Sequence, residues 1–136
     1  MNIRAIFNVV GVLLILISGL TLAPIGVSMY FDHDPIEGFM SETSAFKWTF
    51  GLSLISGLLL WKLFPSGLNK LRDREGFAIV TASWVSISLF GALPLYLSGV
   101  CPEFIDAFFE STSGFTTTGA SILQDIDAVP HGILFW

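Results

Sequence analysis

The stretch from Asp106 to Ser121 reads DAFFESTSGFTTTGAS and joins a short amphipathic segment to a loop of threonine and glycine. Apolar segments precede it, and the pattern predicts a re-entrant pore loop held at membrane depth. The backbone carbonyls of such a loop can replace the water around a cation. Non-helical backbone is tolerated at that depth only where it lines a cavity or is buried in protein. The prediction therefore requires the rest of the chain to form a membrane domain.

The composition places the chain in a membrane. Of its 136 residues, 53% are hydrophobic and only 12% are charged, and the mean hydropathy is +0.76. This leaves too little polar surface for a soluble domain of the same length. The predicted fold class is an all-α membrane protein. A net charge of −5 with no basic patch argues against nucleic-acid binding, and the single cysteine, Cys101, excludes both an intramolecular disulfide and a thiolate metal cluster.

Three transmembrane helices are predicted. No charged residue occurs from Ala5 to Phe31, a run longer than the apolar region of a cleaved signal peptide, which is the disfavoured alternative. The second span covers Ala45–Phe64, where Lys47 and Lys62 must extend their ammonium groups to the two interfaces. The third is the uncharged run Phe77–Cys101. A lipid bilayer is therefore the first predicted partner.

Charge distribution predicts the orientation of these spans. Residues 62–75 contain four of the six basic residues, and such loops face the cytoplasm. The acidic loop at 32–42 then lies outside, and the N-terminus lies in the cytoplasm. His33 stands between two aspartates, but one histidine with flexible carboxylates is a weak ligand set. A solvated loop is favoured there over a metal site.

A pore helix is predicted at 102–113, followed by a filter loop at 114–121. Pro102 and Glu103 suit a helix start. Proline has no backbone N–H that would be left without a partner in the first turn, and an acidic side chain favours the positive end of a helix. Gly114 is expected to end the helix in the left-handed conformation. The alternative is an interfacial helix lying flat on the membrane. Such helices are usually rich in Lys or Arg, and 102–113 contains neither.

The filter residues are predicted to be Thr117, Thr118 and Gly119. A descending helix points its negative end towards the membrane centre and favours a cation there. Threonine supplies carbonyl and hydroxyl oxygens, and glycine permits unusual backbone angles. A plain extracellular loop remains an alternative, since Ser/Thr/Gly clusters are ordinary loop chemistry. Acidic residues predicted at the outer mouth, where they raise the local cation concentration or simply form a solvated loop, are Asp106, Glu110, Asp125 and Asp127.

The stretch from Asp106 to Leu123 resembles the membrane subunit of bacterial Trk-type potassium-uptake systems. Two preceding segments share the resemblance, LRDREGFAI at 71–79 and GALP at 91–94. It implies a chain of four pore units around one ion path, in which Gly119 lines a filter that uses one glycine. Because the sequence ends at Trp136, we expect an N-terminal piece of a longer transporter, with a hairpin at 1–75 and a truncated first pore unit at 76–136.

The resemblance also implies a function and partners. Potassium would be the transported ion, taken up by symport through the cytoplasmic (inner) membrane of a bacterium, with no organic cofactor in this chain. A cytoplasmic nucleotide-binding ring subunit would control gating, and the full-length membrane subunit would form a homodimer.

Two other functions compete with cation transport. The first is a non-transporting membrane scaffold or assembly subunit, in which the Thr/Gly loop only packs against partners. The second is an intramembrane enzyme with Ser111 or Ser113 as nucleophile. Because neither serine has an evident base partner and no phosphate-binding or zinc-protease motif is present, the chain is not expected to be an enzyme.

Overall fold

The computed structural model describes residues 3–31, 35–65 and 73–136. Over these ranges the chain is helical and contains no β-strand, which confirms the all-α class. The acidic cluster with His33 and most of the basic loop lie outside the described residues. The helices are α1 (Ile3–Leu20), α2 (Leu22–Tyr30), α3 (Glu42–Leu63), α4 (Asp73–Leu97), α5 (Phe104–Phe115) and α6 (His131–Phe135).

The first predicted span is a broken helix rather than a uniform one. α1 ends at Leu20 and α2 begins at Leu22, with Thr21 between them. Pro24 accounts for the break, because its ring lacks an N–H and crowds the carbonyl four residues earlier, at Leu20. Thr21 nevertheless keeps helical angles and donates its N–H to the Ile17 carbonyl at 3.0 Å. The two helices therefore follow one path through 28 residues.

Two helical segments in the described part of the chain are long and apolar enough to cross a membrane, Ile3–Tyr30 and Asp73–Leu97. α3 has sufficient length but begins at Glu42 and contains Lys47 and Lys62. These charges and several hydroxyl side chains lower its apolar character. The structure thus bears out two predicted spans by composition, and the crossing of the membrane by α3 remains a prediction.

α3 packs closely against α1 through two glycines. A Cβ atom added to Gly11 would lie 2.8 Å from the Gly57 carbonyl oxygen, and one added to Gly57 would lie 2.8 Å from the Gly11 carbonyl oxygen. The two backbones therefore touch, as small residues allow in membrane helix pairs. Ser53, one turn before Gly57, is fully buried.

α4 differs from its predicted bounds at both ends. It already includes Asp73, the first residue described after the gap at 66–72 and earlier than Phe77, and the acidic residues Asp73 and Glu75 are compatible with the N-terminal part of a helix. It ends at Leu97, before Cys101, because Gly99 adopts a left-handed φ of 79°. The proposed division between residues 75 and 76 consequently falls inside the first turn of α4. The assignment of a hairpin and a pore unit remains a prediction.

The core lies where the end of α4 meets α5, α6 and the start of α3. Gly91 is its closest contact point, since a Cβ there would overlap the Phe115 ring and lie 2.6 Å from the Ser111 hydroxyl. The Trp136 indole donates a hydrogen bond to the Gly91 carbonyl at 2.9 Å. Buried apolar residues of this core are Phe46, Ala92, Leu95, Cys101, Ala107, Val129 and Ile133.

A buried carboxylate attaches the returning segment to α3. The Gly132 N–H donates to Glu42 Oε2 at 3.0 Å, and Glu42 is only 5% exposed. The His131 ring stacks on Phe31 with ring centres 4.4 Å apart. α6 begins at His131. The segment between α5 and α6 is therefore anchored at both ends by helices that pack into the core.

Candidate cation-binding loop

A helix, α5, is present two residues later than the predicted pore helix. α5 spans Phe104–Phe115 instead of 102–113. Glu103 has extended backbone angles and precedes the first helical residue, so Pro102 lies just before the helix rather than in its first turn. Gly114 continues the helix and does not end it. The twelve residues give a helix about 18 Å long, and α5 packs along the end of α4.

The end of α5 is closed by a threonine in the left-handed conformation. Thr117 has φ 57°, and its N–H donates to the Gly114 carbonyl at 3.1 Å, while the Thr118 N–H donates to the Ser113 carbonyl at 3.0 Å. This pair of bonds is the Schellman arrangement, in which glycine usually occupies the left-handed position. The prediction that Gly114 takes this role is wrong. The hydrogen-bond register places the left-handed residue three positions later.

Gly119 has the unusual backbone angle expected of a filter glycine. Its φ is 75°, and a Cβ added there would meet no atom within 4 Å. Glycine is therefore favoured by its backbone conformation and not by crowding within this chain. The carbonyl oxygens of residues 116–119 accept no hydrogen bond from the described part of the chain. These oxygens remain available to another ligand.

The threonine hydroxyls form a short relay on the helix end. The Thr116 hydroxyl donates to the Thr112 carbonyl at 2.7 Å and lies 2.8 Å from the Thr118 hydroxyl. Because Thr116 has one hydroxyl proton and uses it on Thr112, Thr118 must donate to Thr116. Both lone pairs of the Thr118 hydroxyl are then free to face a cation. Sequence analysis did not identify Thr116 or Thr112 as part of the site.

The segment after Gly119 is attached to α5 at two points. The Ser113 hydroxyl donates to the Ala120 carbonyl at 2.6 Å. One oxygen of Glu110 accepts a hydrogen bond from the Ser121 hydroxyl at 2.6 Å, and the other accepts from the Ile122 N–H at 3.0 Å. We call these three bonds the loop tether. Sequence analysis missed Ser121 and assigned Glu110 only to the outer mouth, although the i, i+3 spacing of Glu110 and Ser113 indicates a shared helix face.

The other three acidic residues predicted at the outer mouth are exposed. Asp106 lies in the first turn of α5, while Asp125 and Asp127 lie in the loop between Ile122 and α6. Within the described ranges, no group of three or more metal-ligating side chains is brought together. In this part of the chain, these carboxylates therefore form no chelating cluster.

Cys101 is close to the acidic face of α5. It lies beyond the end of α4 and outside the candidate span Asp73–Leu97, and its side chain is 2% exposed. Burial raises the pKa of this thiol to about 11, and the negative charges of Glu110 and Asp106 add to the increase. The thiol therefore remains protonated at neutral pH and fills space as a small apolar group.

The two serines considered as nucleophiles have other environments. The Ser113 hydroxyl is used in the loop tether. Ser111 is buried against Gly91 and has no hydrogen-bond partner. A nucleophilic serine needs a base within hydrogen-bond reach, and neither hydroxyl bonds to one. The geometry gives no support to a catalytic role for either serine.

Comparison with known proteins identifies the family. The model of the TrkH family, described as cation transport protein, matches residues 42–136. The chain is 40% identical over its whole length to the Trk system potassium uptake protein TrkH of Escherichia coli K12, and covers 27% of that protein. It is 30% identical to the Trk system potassium uptake protein TrkG of the same organism, with 99% of the chain and 27% of the relative covered.

A solved structure agrees with this assignment. The crystal structure of the potassium transporter TrkH from Vibrio parahaemolyticus matches with a TM-score of 0.86 and 35% identity. The match covers 99% of this chain and 28% of that structure. The chain thus spans about a quarter of the length of these relatives. On the match of residues 42–136 and the agreement in fold, the chain belongs to the TrkH family of cation transport proteins.

Proposed function

We propose that this chain supplies one pore loop of a potassium uptake protein of a bacterial cytoplasmic membrane. The observation that carries the proposal is the end of α5, where the carbonyl oxygens of residues 116–119 accept no hydrogen bond from the described chain. These oxygens lie at the negative end of the helix dipole, which attracts a cation. Carbonyl oxygens are the ligands from which potassium-selective filters are built. The relatives named as potassium uptake proteins support the choice of ion.

Each filter residue has a separate role in this proposal. The carbonyls of Thr117 and Thr118 replace water around the potassium ion, and the free lone pairs of the Thr118 hydroxyl offer a further oxygen. Gly119 holds the left-handed turn that directs these groups. The exposed loop satisfies the backbone requirement at membrane depth when other pore loops surround it. The carboxylates at 106, 110, 125 and 127 raise the cation concentration at the outer mouth.

The proposal extends to the setting of the pore. The N-terminus lies in the cytoplasm, and α3 crosses the membrane with Lys47 and Lys62 at the interfaces. The full-length protein contains four such units, forms a homodimer and works with a cytoplasmic nucleotide-binding ring subunit. Uptake is coupled to a second ion by symport. The chain carries potassium as cargo and requires no organic cofactor.

Replacement of Gly119 by serine in the full-length protein tests this function. A side chain at a left-handed position costs about 1–2 kcal/mol, and the turn must then shift its carbonyls. We expect Gly119→Ser to lower potassium uptake and the ratio of potassium to sodium transport by at least about tenfold, a change of about 1.4 kcal/mol in relative barrier height. Uptake of rubidium and sodium in cells lacking other potassium transporters measures both quantities.

Gly38→Ser is the matched control. Gly38 also has a left-handed φ, 85°, and open space around its Cβ position, but lies between α2 and α3. Its replacement carries the same conformational cost and should leave selectivity unchanged. Unchanged selectivity in Gly119→Ser would reject the filter role and favour the scaffold, for which loop replacement alters assembly but not ion flux.

A further inference from the structure

The loop tether joins α5 to the residues that follow the filter. In the tether, Ser113 bonds to residue 120, whereas Glu110, one turn earlier, bonds to residues 121 and 122. The order of contacts is reversed, so the segment runs back along the helix. The turn at 114–119 is thereby closed on one side by the helix end and on the other by these bonds.

Glu110 is the strongest member of the tether. Both of its carboxylate oxygens are in use, at 2.6 Å from a hydroxyl and 3.0 Å from a backbone nitrogen. Hydrogen bonds to an ionised acceptor are roughly twice as strong as neutral ones. The Ser121 hydroxyl also accepts the Leu123 N–H at 3.1 Å. One carboxylate therefore fixes the backbone from Ser121 to Leu123, which begins two residues after Gly119.

We propose that Glu110 is a positioning residue for selectivity: its two hydrogen bonds hold the segment after Gly119 and thereby set the geometry of the filter carbonyls. This inference rests on the proposed function and gives Glu110 a second role, in addition to that of a charge at the mouth. A mouth charge acts through a field that salt screens within roughly 8–10 Å. A hydrogen bond made directly to the loop is insensitive to that screening.

The experiment compares Glu110→Gln, Glu110→Asp and Asp106→Asn in the full-length transporter. Glutamine has one acceptor oxygen, so it can accept from the Ile122 N–H or from the Ser121 hydroxyl but not from both. Aspartate keeps the charge and shortens the side chain by one methylene. Asp106 is an exposed carboxylate one turn earlier on the same helix and makes no bond to the loop. Potassium and sodium uptake are measured at low and high choline chloride.

Under the proposal, Glu110→Gln and Glu110→Asp both lower the potassium-to-sodium ratio severalfold, equally at low and high salt. Asp106→Asn raises only the apparent KM for potassium, and high salt removes the difference from wild type. The proposal is overturned if Glu110→Gln behaves like Asp106→Asn, or if Glu110→Asp restores wild-type selectivity. Either result would leave Glu110 as a charge at the mouth.

Ser121→Ala provides a milder test when Glu110 variants assemble poorly. It removes one of the two bonds that Glu110 makes, so it should lower selectivity in the same direction as Glu110→Gln, and the double variant should be at least as impaired as either single variant. Wild-type selectivity in Ser121→Ala rejects the proposal. Gly119→Ser distinguishes failure of the proposed pore function from failure of the tether role. Unchanged selectivity in Gly119→Ser rejects the pore function itself. Altered selectivity in Gly119→Ser together with normal selectivity in the Glu110 variants rejects only the tether role.

Discussion

α4 and α5 are each followed by a residue in the left-handed conformation, but the residue types differ. At the end of α4 the left-handed residue is Gly99, whose N–H donates to the Tyr96 carbonyl at 3.2 Å. At the end of α5 it is Thr117, whose N–H donates to the Gly114 carbonyl at 3.1 Å. Glycine carries no penalty for a positive φ, whereas a β-branched residue there is a genuine outlier.

Gly99 and Thr117 also differ in their surroundings. Gly99 lies under the Phe39 ring, so its lack of a side chain serves both backbone angle and packing. Thr117 is exposed, and nothing in its packing requires a β-branched side chain. Strained residues of this kind persist where the surrounding structure fixes them, and they cluster at functional sites. At Thr117 the fixing groups are the two backbone bonds of the helix end and the loop tether.

Gly99→Ala should produce the largest loss of stability. The new Cβ would overlap the Phe39 ring and also occupy a left-handed position, so we expect a loss of at least about 2 kcal/mol in unfolding free energy. Thermal or denaturant unfolding in detergent measures the change. Gly38→Ala is the control, because it has the same backbone requirement in open space and should lose only about 1 kcal/mol. Equal losses would show that the Phe39 contact adds nothing.

Thr117→Gly should have a smaller effect and the opposite sign on stability. Relief of the left-handed strain is worth about 1 kcal/mol, partly offset by the greater freedom of glycine in the unfolded chain. We expect a gain of a few tenths of a kcal/mol in unfolding free energy, together with a lower potassium-to-sodium ratio.

Thr116→Gly supplies the contrast for this measurement. Thr116 has a φ of −83° and bears no such strain, so glycine there should only destabilise. If Thr117→Gly destabilises as much as Thr116→Gly, the threonine is not strained and the comparison with Gly99 fails.

The sequence predicts some of these features and not others. Long apolar runs predict the two spans by composition, and the Pro102 and Glu103 pair locates α5 to within two residues. The positive φ of Gly119 agrees with the expectation that glycine permits unusual backbone angles there, and its filter role stays a prediction. The same preference leads to Gly114 instead of Thr117, since residue type alone does not reveal which carbonyls the chain uses to close the helix.

The loop tether illustrates a second limit. Glu110 contacts residues 121 and 122 only because the segment after the filter turns back along α5, and that path is set by α6 docking on α3 through Glu42 and Gly132. Such contacts depend on tertiary packing rather than on local spacing. The acidic character of Glu110 predicts a charged residue near the pore, but only the structure shows that both of its oxygens bond to the loop.

Cysteine labelling contrasts the two helix ends with the smallest perturbation. Cys101 follows Gly99, is buried and has a thiol pKa of about 11, so at pH 8 only about a thousandth of it is the reactive thiolate. We expect wild-type protein to resist a membrane-impermeant maleimide in intact cells. Ala120→Cys, in the exposed segment after Gly119, should be labelled rapidly, and more slowly in high potassium if the filter is occupied. Rapid labelling of the wild-type protein would mean that Cys101 is accessible and that the end of α4 opens. If Ala120→Cys is labelled as slowly as Cys101, the loop is buried rather than open to the ion path.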